Sequence, residues 1–183
     1  QAALFQSVSP RTAGFATVSQ SGRTAASKAI GCMLMMIGGS SGGTAGGVKT
    51  TTVALLLLTC LSVIKGSRDI ECYGRKIPLS QVKSAVTILF LTLMFWMSGT
   101  IIITILDPQV NFLRIVYETT SAIATVGLSA DLTPSLSRAS QYVLMVMMYI
   151  GRIGPVTMAM IFAGKGKNAE QYRELPEKQI MIG

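Results

Sequence analysis

The stretch NFLRIVYETTSAIATVGL, residues 111–128, lies between two long apolar runs and decides how the chain is organised. It begins with the pattern of an amphipathic helix and ends in Thr125-Val126-Gly127-Leu128. A bilayer crossing needs about 20 predominantly apolar residues, so this stretch is too short and too polar to span. We expect a re-entrant helix followed by an extended loop, which a membrane tolerates only where protein or a wet cavity surrounds the backbone.

The flanking runs supply the crossings that such an arrangement needs. Residues 84–106 are uninterrupted and apolar up to Asp107-Pro108, and residues 139–163 form a second run with Arg152 near its middle. The chain is 50% hydrophobic and only 13% charged, whereas soluble domains carry about 25% charged residues. Composition and pattern together predict an all-α integral membrane protein embedded in a lipid bilayer.

The first part of the chain contains a crossing that is broken in its middle. Residues 24–37 and 51–64 have helical composition, but each is too short to span by itself. Between them, residues 38–50 are dense in glycine and propagate a helix only at a cost. We therefore expect two half-helices joined by an irregular segment.

An internal repeat relates the two parts of the chain. Thr12-Ala13-Gly14-Phe15 follows the end of a short helical stretch and parallels Thr125-Val126-Gly127-Leu128. The repeated unit is an outer helix, a re-entrant pore helix, a filter loop and an inner helix, and the chain holds one complete unit and one that lacks its first helix. The predicted division is a first repeat at 1–64, a linker at 65–83, a second repeat at 84–163 and a tail at 164–183.

The basic residues fix the expected orientation. They cluster beside the apolar runs, in residues 65–83 and in the tail after residue 164. This distribution is typical of cytoplasmic loops and is unlike a nucleic-acid groove, which would also expose aromatic side chains. We expect loop 65–83 and the C-terminus to be cytoplasmic. Because the chain begins at Gln1 in the middle of an element, we also expect it to be either a fragment or a processed chain.

The chain has no His and no Cys-x-x-Cys pair, which argues against a Cys/His zinc site and excludes catalysis by a histidine base. The two Thr-x-Gly loops suggest a different chemistry. A dehydrated potassium ion needs a ring of oxygens, which backbone carbonyls supply when successive residues aim them at one axis. The alternative is that each loop is only a turn after a helix. The predicted K+ ligands are the carbonyls of Thr12, Ala13, Gly14, Phe15, Thr125, Val126, Gly127 and Leu128.

The glycine-rich stretch has two further interpretations besides a kink between packed helices. A phosphate-binding P-loop would read G-x-x-x-x-G-K-[ST], but Val48 intrudes between Gly47 and Lys49, and apolar helices flank the stretch on both sides. An intramembrane gating loop fits better, because discontinuous helices mark ion paths. The residues predicted to gate are Gly38, Gly39, Ser40, Ser41, Gly42, Gly43, Thr44, Ala45, Gly46, Gly47 and Lys49.

Arg152 is the remaining gating residue that we predict. A mid-membrane charge costs about 2.5–3.5 kcal/mol on insertion scales, so it needs a use or a partner. We expect Arg152 to face the conduction path and to interact with the gating loop; the alternative is a structural partnership with Glu118 or with loop carbonyls. Glu118 itself is expected to bond neighbouring backbone and brace the filter.

Four segments together resemble the Trk/Ktr/HKT superfamily of potassium transporters. They are RTAGF at 11–15, MMIGGSSGGTAGGVKTTT at 35–52, TSAIATVGLSADLTPSLS at 120–137 and YIGRIGPVT at 149–157. The ending LPEKQIMIG is similar to the KtrB type of membrane subunit. The resemblance implies four repeats in pseudo-fourfold order around a pore, of which this chain matches the third and fourth. It also implies that Gly14 and Gly127 are filter glycines, that 38–50 is the gating loop and that Arg152 is the pore arginine.

The resemblance further implies partners and a location. Members of this superfamily form homodimers in the plasma membrane and sit on a cytoplasmic ring of nucleotide-binding regulatory subunits of the KtrA/TrkA type, which respond to ATP, ADP or NADH. The function implied is K+ uptake by a channel-like transporter, not an enzyme. The alternatives are a member that also passes Na+, a P-loop nucleotide-binding membrane protein, and a membrane scaffold without a pore. Half of the filter is absent from this chain.

Overall fold

The computed structural model describes residues 2–16, 19–20, 22–40, 46–67, 69–72, 74–154 and 157. The described residues are mostly helical, as the composition predicts. The helices are α1 (Ala2–Val8), α2 (Ala25–Met36), α3 (Thr50–Ile64), α4 (Leu79–Leu106), α5 (Phe112–Ile123) and α6 (Arg138–Ile153). A hairpin of two short strands, β1 (Glu71–Cys72) and β2 (Arg75–Lys76), lies within the segment 65–83 and was not expected.

Helix α4 is the one helix of the described ranges that is long and apolar enough to cross a membrane. Its 28 residues extend about 42 Å at 1.5 Å per residue, which exceeds the hydrocarbon thickness of about 30 Å. The helix begins at Leu79, earlier than the apolar run at 84, because Pro78 supplies the N-cap and a polar first turn precedes the run. The apolar run therefore indicates which residues cross the membrane, while the residue at the N-cap determines where the helix begins.

The predicted broken crossing is present as α2 and α3, which are the two shorter apolar helices. Both lie within a residue of the predicted half-helices at 24–37 and 51–64. The Thr24 side chain caps α2 by accepting a hydrogen bond from the Ser27 N–H at 3.3 Å. Ile37 and Val48 form a parallel β-bridge, so the two ends of the glycine-rich segment lie side by side.

Helix α5 is the centre of the fold and packs against α2, α4 and α6. It is buried from Tyr117 to Ile123, including its polar side chains. Two side-chain contacts tie it to α4: the Trp96 Nε1 donates to Thr120 Oγ1 at 3.0 Å, and the Thr100 and Thr119 hydroxyls lie 2.9 Å apart. The predicted re-entrant helix is thus enclosed by protein over the part that precedes the loop.

The end of α4 is joined to the start of α6 by Asp107. Its Oδ2 accepts hydrogen bonds from the Ser140 hydroxyl, the Ser137 hydroxyl at 3.0 Å and the Ser137 N–H at 3.2 Å. These bonds, that of Ser140 first, hold the pKa of the Asp107 carboxyl below its ordinary value. The carboxylate also lies at the N-terminus of α6, where the helix dipole favours negative charge.

Helix α6 ends at Ile153, although the apolar run continues to residue 163. Gly154 adopts a φ of 97° and donates its N–H to the Ile150 carbonyl at 3.0 Å, which closes the helix. The next residue in the sequence is Pro155, which has no N–H to continue the helical bonding. The predicted remainder of this inner helix and the tail at 164–183 lie outside the described residues.

Candidate functional site

The two predicted filter loops share an unusual backbone. Thr12 and Thr125 have φ of 62° and 52°, and Gly14 and Gly127 have φ of 73° and 88°. A threonine in the left-handed region is uncommon and costs free energy, so the surrounding structure must impose it. The two loops therefore share a local backbone conformation at these matching positions.

The structure brings the two loops into contact through their backbones. A Cβ atom placed on Gly14 would overlap the Val126 carbonyl oxygen and would lie 3.9 Å from the Gly127 Cα. Only glycine therefore fits at position 14. Gly127 has no neighbour within 4 Å of the equivalent position, so at that site the positive φ alone favours glycine.

Each loop is held at the C-terminal end of its short helix. The N–H groups of Ala13 and Gly14 donate to the Ser9 carbonyl at 3.2 and 3.1 Å. In the second loop, the Val126 N–H donates to the Ser121 carbonyl at 2.9 Å. Because a helix C-terminus carries partial negative charge, both loops lie where a cation is favoured.

The side chains of the two loops differ in their surroundings. Val126 and Leu128 are buried, Leu128 with only 2% of its surface exposed, in a cluster with Met35 and Tyr117. In the other loop Ala13 is exposed, and Phe15 exposes 70% of its surface. The second loop is therefore packed against described residues, while the first loop is open on one side.

The segment that follows each loop is tied back to the helix that precedes it. Glu118 on α5, which is 5% exposed, accepts hydrogen bonds from the Ser129 hydroxyl, from the Thr133 hydroxyl and from the N–H groups of Ala130 and Leu132. This matches the brace predicted for Glu118. In the first repeat, Gln6 and Gln20 exchange two hydrogen bonds of 3.2 Å.

A polar contact between the two repeats was not foreseen. The Tyr117 hydroxyl donates to Oε1 of Gln20 at 3.1 Å, across 97 residues of sequence. Neither residue type is unusual in its local context, and their separation leaves no spacing signal. Such a contact becomes visible only when the fold places α5 beside the segment that follows the first loop.

The second half of the glycine-rich segment, at Gly46 and Gly47, lies against the start of the second loop. A Cβ on Gly46 would lie 2.7 Å from the Ala124 carbonyl oxygen and would overlap the Thr125 hydroxyl oxygen. The Gly38 N–H donates to the Val48 carbonyl at 2.9 Å, and the Val48 N–H donates to the Met36 carbonyl at 3.1 Å. The predicted residues Ser41, Gly42, Gly43, Thr44 and Ala45 lie outside the described residues.

Arg152 lies near both the glycine-rich segment and the second loop. It lines a cavity of about 240 Å³ together with Gly46, Gly47 and Lys49. It also lines a second cavity of about 350 Å³ that Thr125 and Gly127 share. Its neighbour Gly151 packs against the Ile123 carbonyl at the end of α5. The structure therefore places Arg152 beside Gly46, Gly47 and Lys49, which are three of the residues predicted to gate.

The chain is similar in sequence to proteins that move cations. Residues 1–171 match the TrkH family, described as a cation transport protein. The Ktr system potassium uptake protein B of Bacillus subtilis (strain 168) is 34% identical over 182 residues, which cover 100% of this chain and 40% of that protein. The potassium/sodium uptake protein NtpJ of Enterococcus hirae is 37% identical over 183 residues, which cover 98% of this chain and 41% of that protein.

A further relative gives the same picture. The Ktr system potassium uptake protein B of Vibrio alginolyticus is 34% identical over 187 residues, which cover 100% of this chain and 39% of that protein. The chain thus spans about two fifths of the length of the curated relatives it matches. Since the family match covers more than half of the chain, the chain belongs to the TrkH family of cation transport proteins, which are membrane transporters and not enzymes.

Proposed function

We propose that this chain provides two of the four filter segments of a potassium uptake pore. The backbone carbonyls of residues 12–15 and 125–128 would replace the water that K+ loses on entry. The observation that carries the proposal is the backbone contact between Gly14 and Val126, combined with the same left-handed φ values in both loops. Two irregular segments at membrane depth have a physical reason to exist when they line an ion path.

The names of the relatives support potassium as the ion. Two of them are potassium uptake proteins B, and the Enterococcus hirae protein is named for potassium and sodium. This last name keeps a sodium-permeable transporter as the second candidate function. The P-loop alternative has little support, since the helix α2 leads into the glycine-rich segment where a nucleotide-binding loop would follow a strand.

The gate is the second part of the proposal. The glycine-rich segment would obstruct the path beside the first residue of the 125–128 filter, where Gly46 contacts Thr125. Lys49 and Arg152 line the adjoining cavity, and their positive charges would lower cation occupancy there. The path would open when this segment withdraws.

The assembly is also a proposal. The chain would join the remaining repeats of the transporter in pseudo-fourfold order, form a homodimer in the plasma membrane and contact a cytoplasmic nucleotide-binding ring of the KtrA/TrkA type. Multi-pass insertion, with residues 65–83 and the C-terminus in the cytoplasm, follows from the positive-inside rule. The repeats at 1–64 and 84–163 would each contribute one filter segment.

The test is a substitution in the complete transporter that contains this chain. We expect Gly127→Ser to lower the preference for K+ over Na+ about tenfold, because a serine at φ 88° is strained and the strain, of order 1–3 kcal/mol, distorts the carbonyl ring. Uptake of Rb+ and Na+ would be measured in bacteria that lack their own potassium uptake systems. Gly22→Ser is the matched control, because its Cβ would meet nothing within 4 Å. An unchanged ion preference in Gly127→Ser would contradict the proposal.

A further inference from the structure

The Tyr117–Gln20 contact joins the two repeats at the level of their filter loops. Tyr117 belongs to α5, the helix that leads into the 125–128 loop. Gln20 belongs to the segment that follows the 12–15 loop, and it is only 2% exposed. A hydrogen bond of 3.1 Å between them therefore connects the supports of two filter segments that lie far apart in sequence.

Gln20 is fixed from two directions. Its amide exchanges two hydrogen bonds with Gln6 on α1, and its Oε1 also accepts the Tyr117 hydroxyl. Gln6 and Gln20 are 14 residues apart, as are Glu118 and Leu132 in the other repeat. Each repeat thus ties its return segment to its own helix, while Tyr117 adds the bond that crosses between repeats.

The Tyr117 ring is placed by packing and not by its hydroxyl alone. Tyr117 is fully buried and lies in one apolar cluster with Met35, Val126 and Leu128. Its Cε2 would lie 3.4 Å from a Cβ on Gly31 of α2, so the ring fills the space next to that glycine. Phenylalanine would keep these contacts and lose only the hydroxyl. The hydroxyl's hydrogen bonds, to Gln20 and with Arg23, can therefore be removed without opening a cavity.

From this geometry we propose that Tyr117 and Gln20 are positioning residues that set the distance between the two filter segments and hence the preference for K+ over Na+. The inference rests on the proposed function, because it assigns a control of ion preference to the same pore. Neither side chain touches the ion. Their bond fixes α5 relative to the segment after Phe15, and the carbonyl spacing at the Gly14–Val126 contact follows from that placement.

The test compares Tyr117→Phe, Gln20→Met and the double variant in the complete transporter. One hydrogen bond of ordinary strength corresponds to about a two- to tenfold change in a ratio. We expect each single variant to lower the ratio of Rb+ to Na+ uptake by that factor, with a higher KM for Rb+ and little change in the maximal rate. Gln20→Met also removes the two bonds to Gln6. The double variant should therefore behave like Gln20→Met alone, because the Tyr117–Gln20 bond is already lost in that variant.

A matched control and a second readout separate positioning from general stability. Tyr149→Phe makes the same chemical change at a side chain that is 62% exposed, and it should leave the ion ratio unchanged. Calorimetric titration of the purified variants with K+ alone should show weaker binding for Tyr117→Phe. A lower maximal rate or melting temperature with an unchanged ion ratio would overturn the inference. If Tyr117→Phe does not accumulate in the membrane, the ratio of Rb+ to Na+ uptake by Gln20→Met decides whether the positioning role holds.

The two proposals fail in different ways. If Gly127→Ser changes nothing, the filter assignment is wrong and the role of Tyr117 falls with it. If Gly127→Ser lowers the preference for K+ while both Tyr117→Phe and Gln20→Met retain it, the filter stands and the positioning role is wrong.

Discussion

At the scale of the residue, glycines bring three separate segments onto the end of α5. Gly14 approaches the Val126 carbonyl, Gly46 approaches the Ala124 carbonyl, and Gly151 approaches the Ile123 carbonyl. Small residues allow such approaches between elements in membranes, where no side chain then separates the backbones. Three backbone segments therefore lie directly against the stretch 123–126.

Gly151 allows a prediction with an internal control on another helix. Alanine at 151 would gain about 1 kcal/mol in helix propensity, but its Cβ would overlap the Ile123 backbone, and overpacking costs about 1–3 kcal/mol. We expect Gly151→Ala to lower the melting temperature of the purified transporter and its Rb+ uptake. Gly99→Ala should cost less, because its Cβ would meet the flexible Met147 side chain and not a backbone. Equal stability of the two variants would show that α6 moves freely away from α5.

The sequence was informative about residues wherever chemistry or spacing was local. The Thr-x-Gly loops were recognised because a glycine shortly after a helix is visible in the sequence. Glu118 was expected to brace the filter because it lies on the re-entrant helix that precedes the loop. The Tyr117–Gln20 bond could not be predicted, since 97 residues separate the pair. The close approaches of Gly46 and Gly151 to α5 also depend on how the helices pack.

At the scale of the element, apolar runs predicted helices well and their ends less well. The half-helices α2 and α3 lie within a residue of the prediction, because glycine interrupts the helix on both sides of the break. Helix α4 starts earlier than its apolar run because the Pro78 cap and not hydropathy sets its start. Helix α6 ends earlier, at Gly154. The β1–β2 hairpin was missed because its strands have only two residues each.

The glycine-rich segment gives the prediction that belongs to this scale. Deleting residues 39–47 should raise Rb+ uptake if the segment obstructs the path. The deletion can be closed, because Gly38 and Val48 are already hydrogen-bonded neighbours at 2.9 Å. The measurement is initial Rb+ uptake per transporter, with Gly127→Ser included to show that the flux still passes the filter. Unchanged or lower flux in a transporter that folds and reaches the membrane would count against the gate.

At the scale of the whole molecule, the described residues form an arrangement that is packed on one side and open on another. The 125–128 loop is covered by α2 and α5, whereas Phe15 of the other loop and Leu4 of α1 are exposed. Large apolar side chains such as Phe90 and Ile105 are exposed along α4. A partner in a four-repeat pore would cover the loop, and lipid or the same partner would cover α4. The presence of one packed and one open loop is consistent with a chain that spans about two fifths of the length of its relatives.

The orientation in the membrane is the prediction that involves the whole chain. Cys72 lies shortly before Leu79, where α4 begins. Asp131 lies in the segment that the Ser137–Asp107 bonds hold at the other end of α4. The two ends of α4 are about 42 Å apart. In a complete transporter whose only cysteine is at one of these positions, a membrane-impermeant maleimide should label Asp131→Cys in intact cells. Cys72 should react only after permeabilisation, which also controls for its partial burial. Labelling of Cys72 in intact cells would show that the chain has the opposite orientation. The gating segment would then lie on the outer side of the filter.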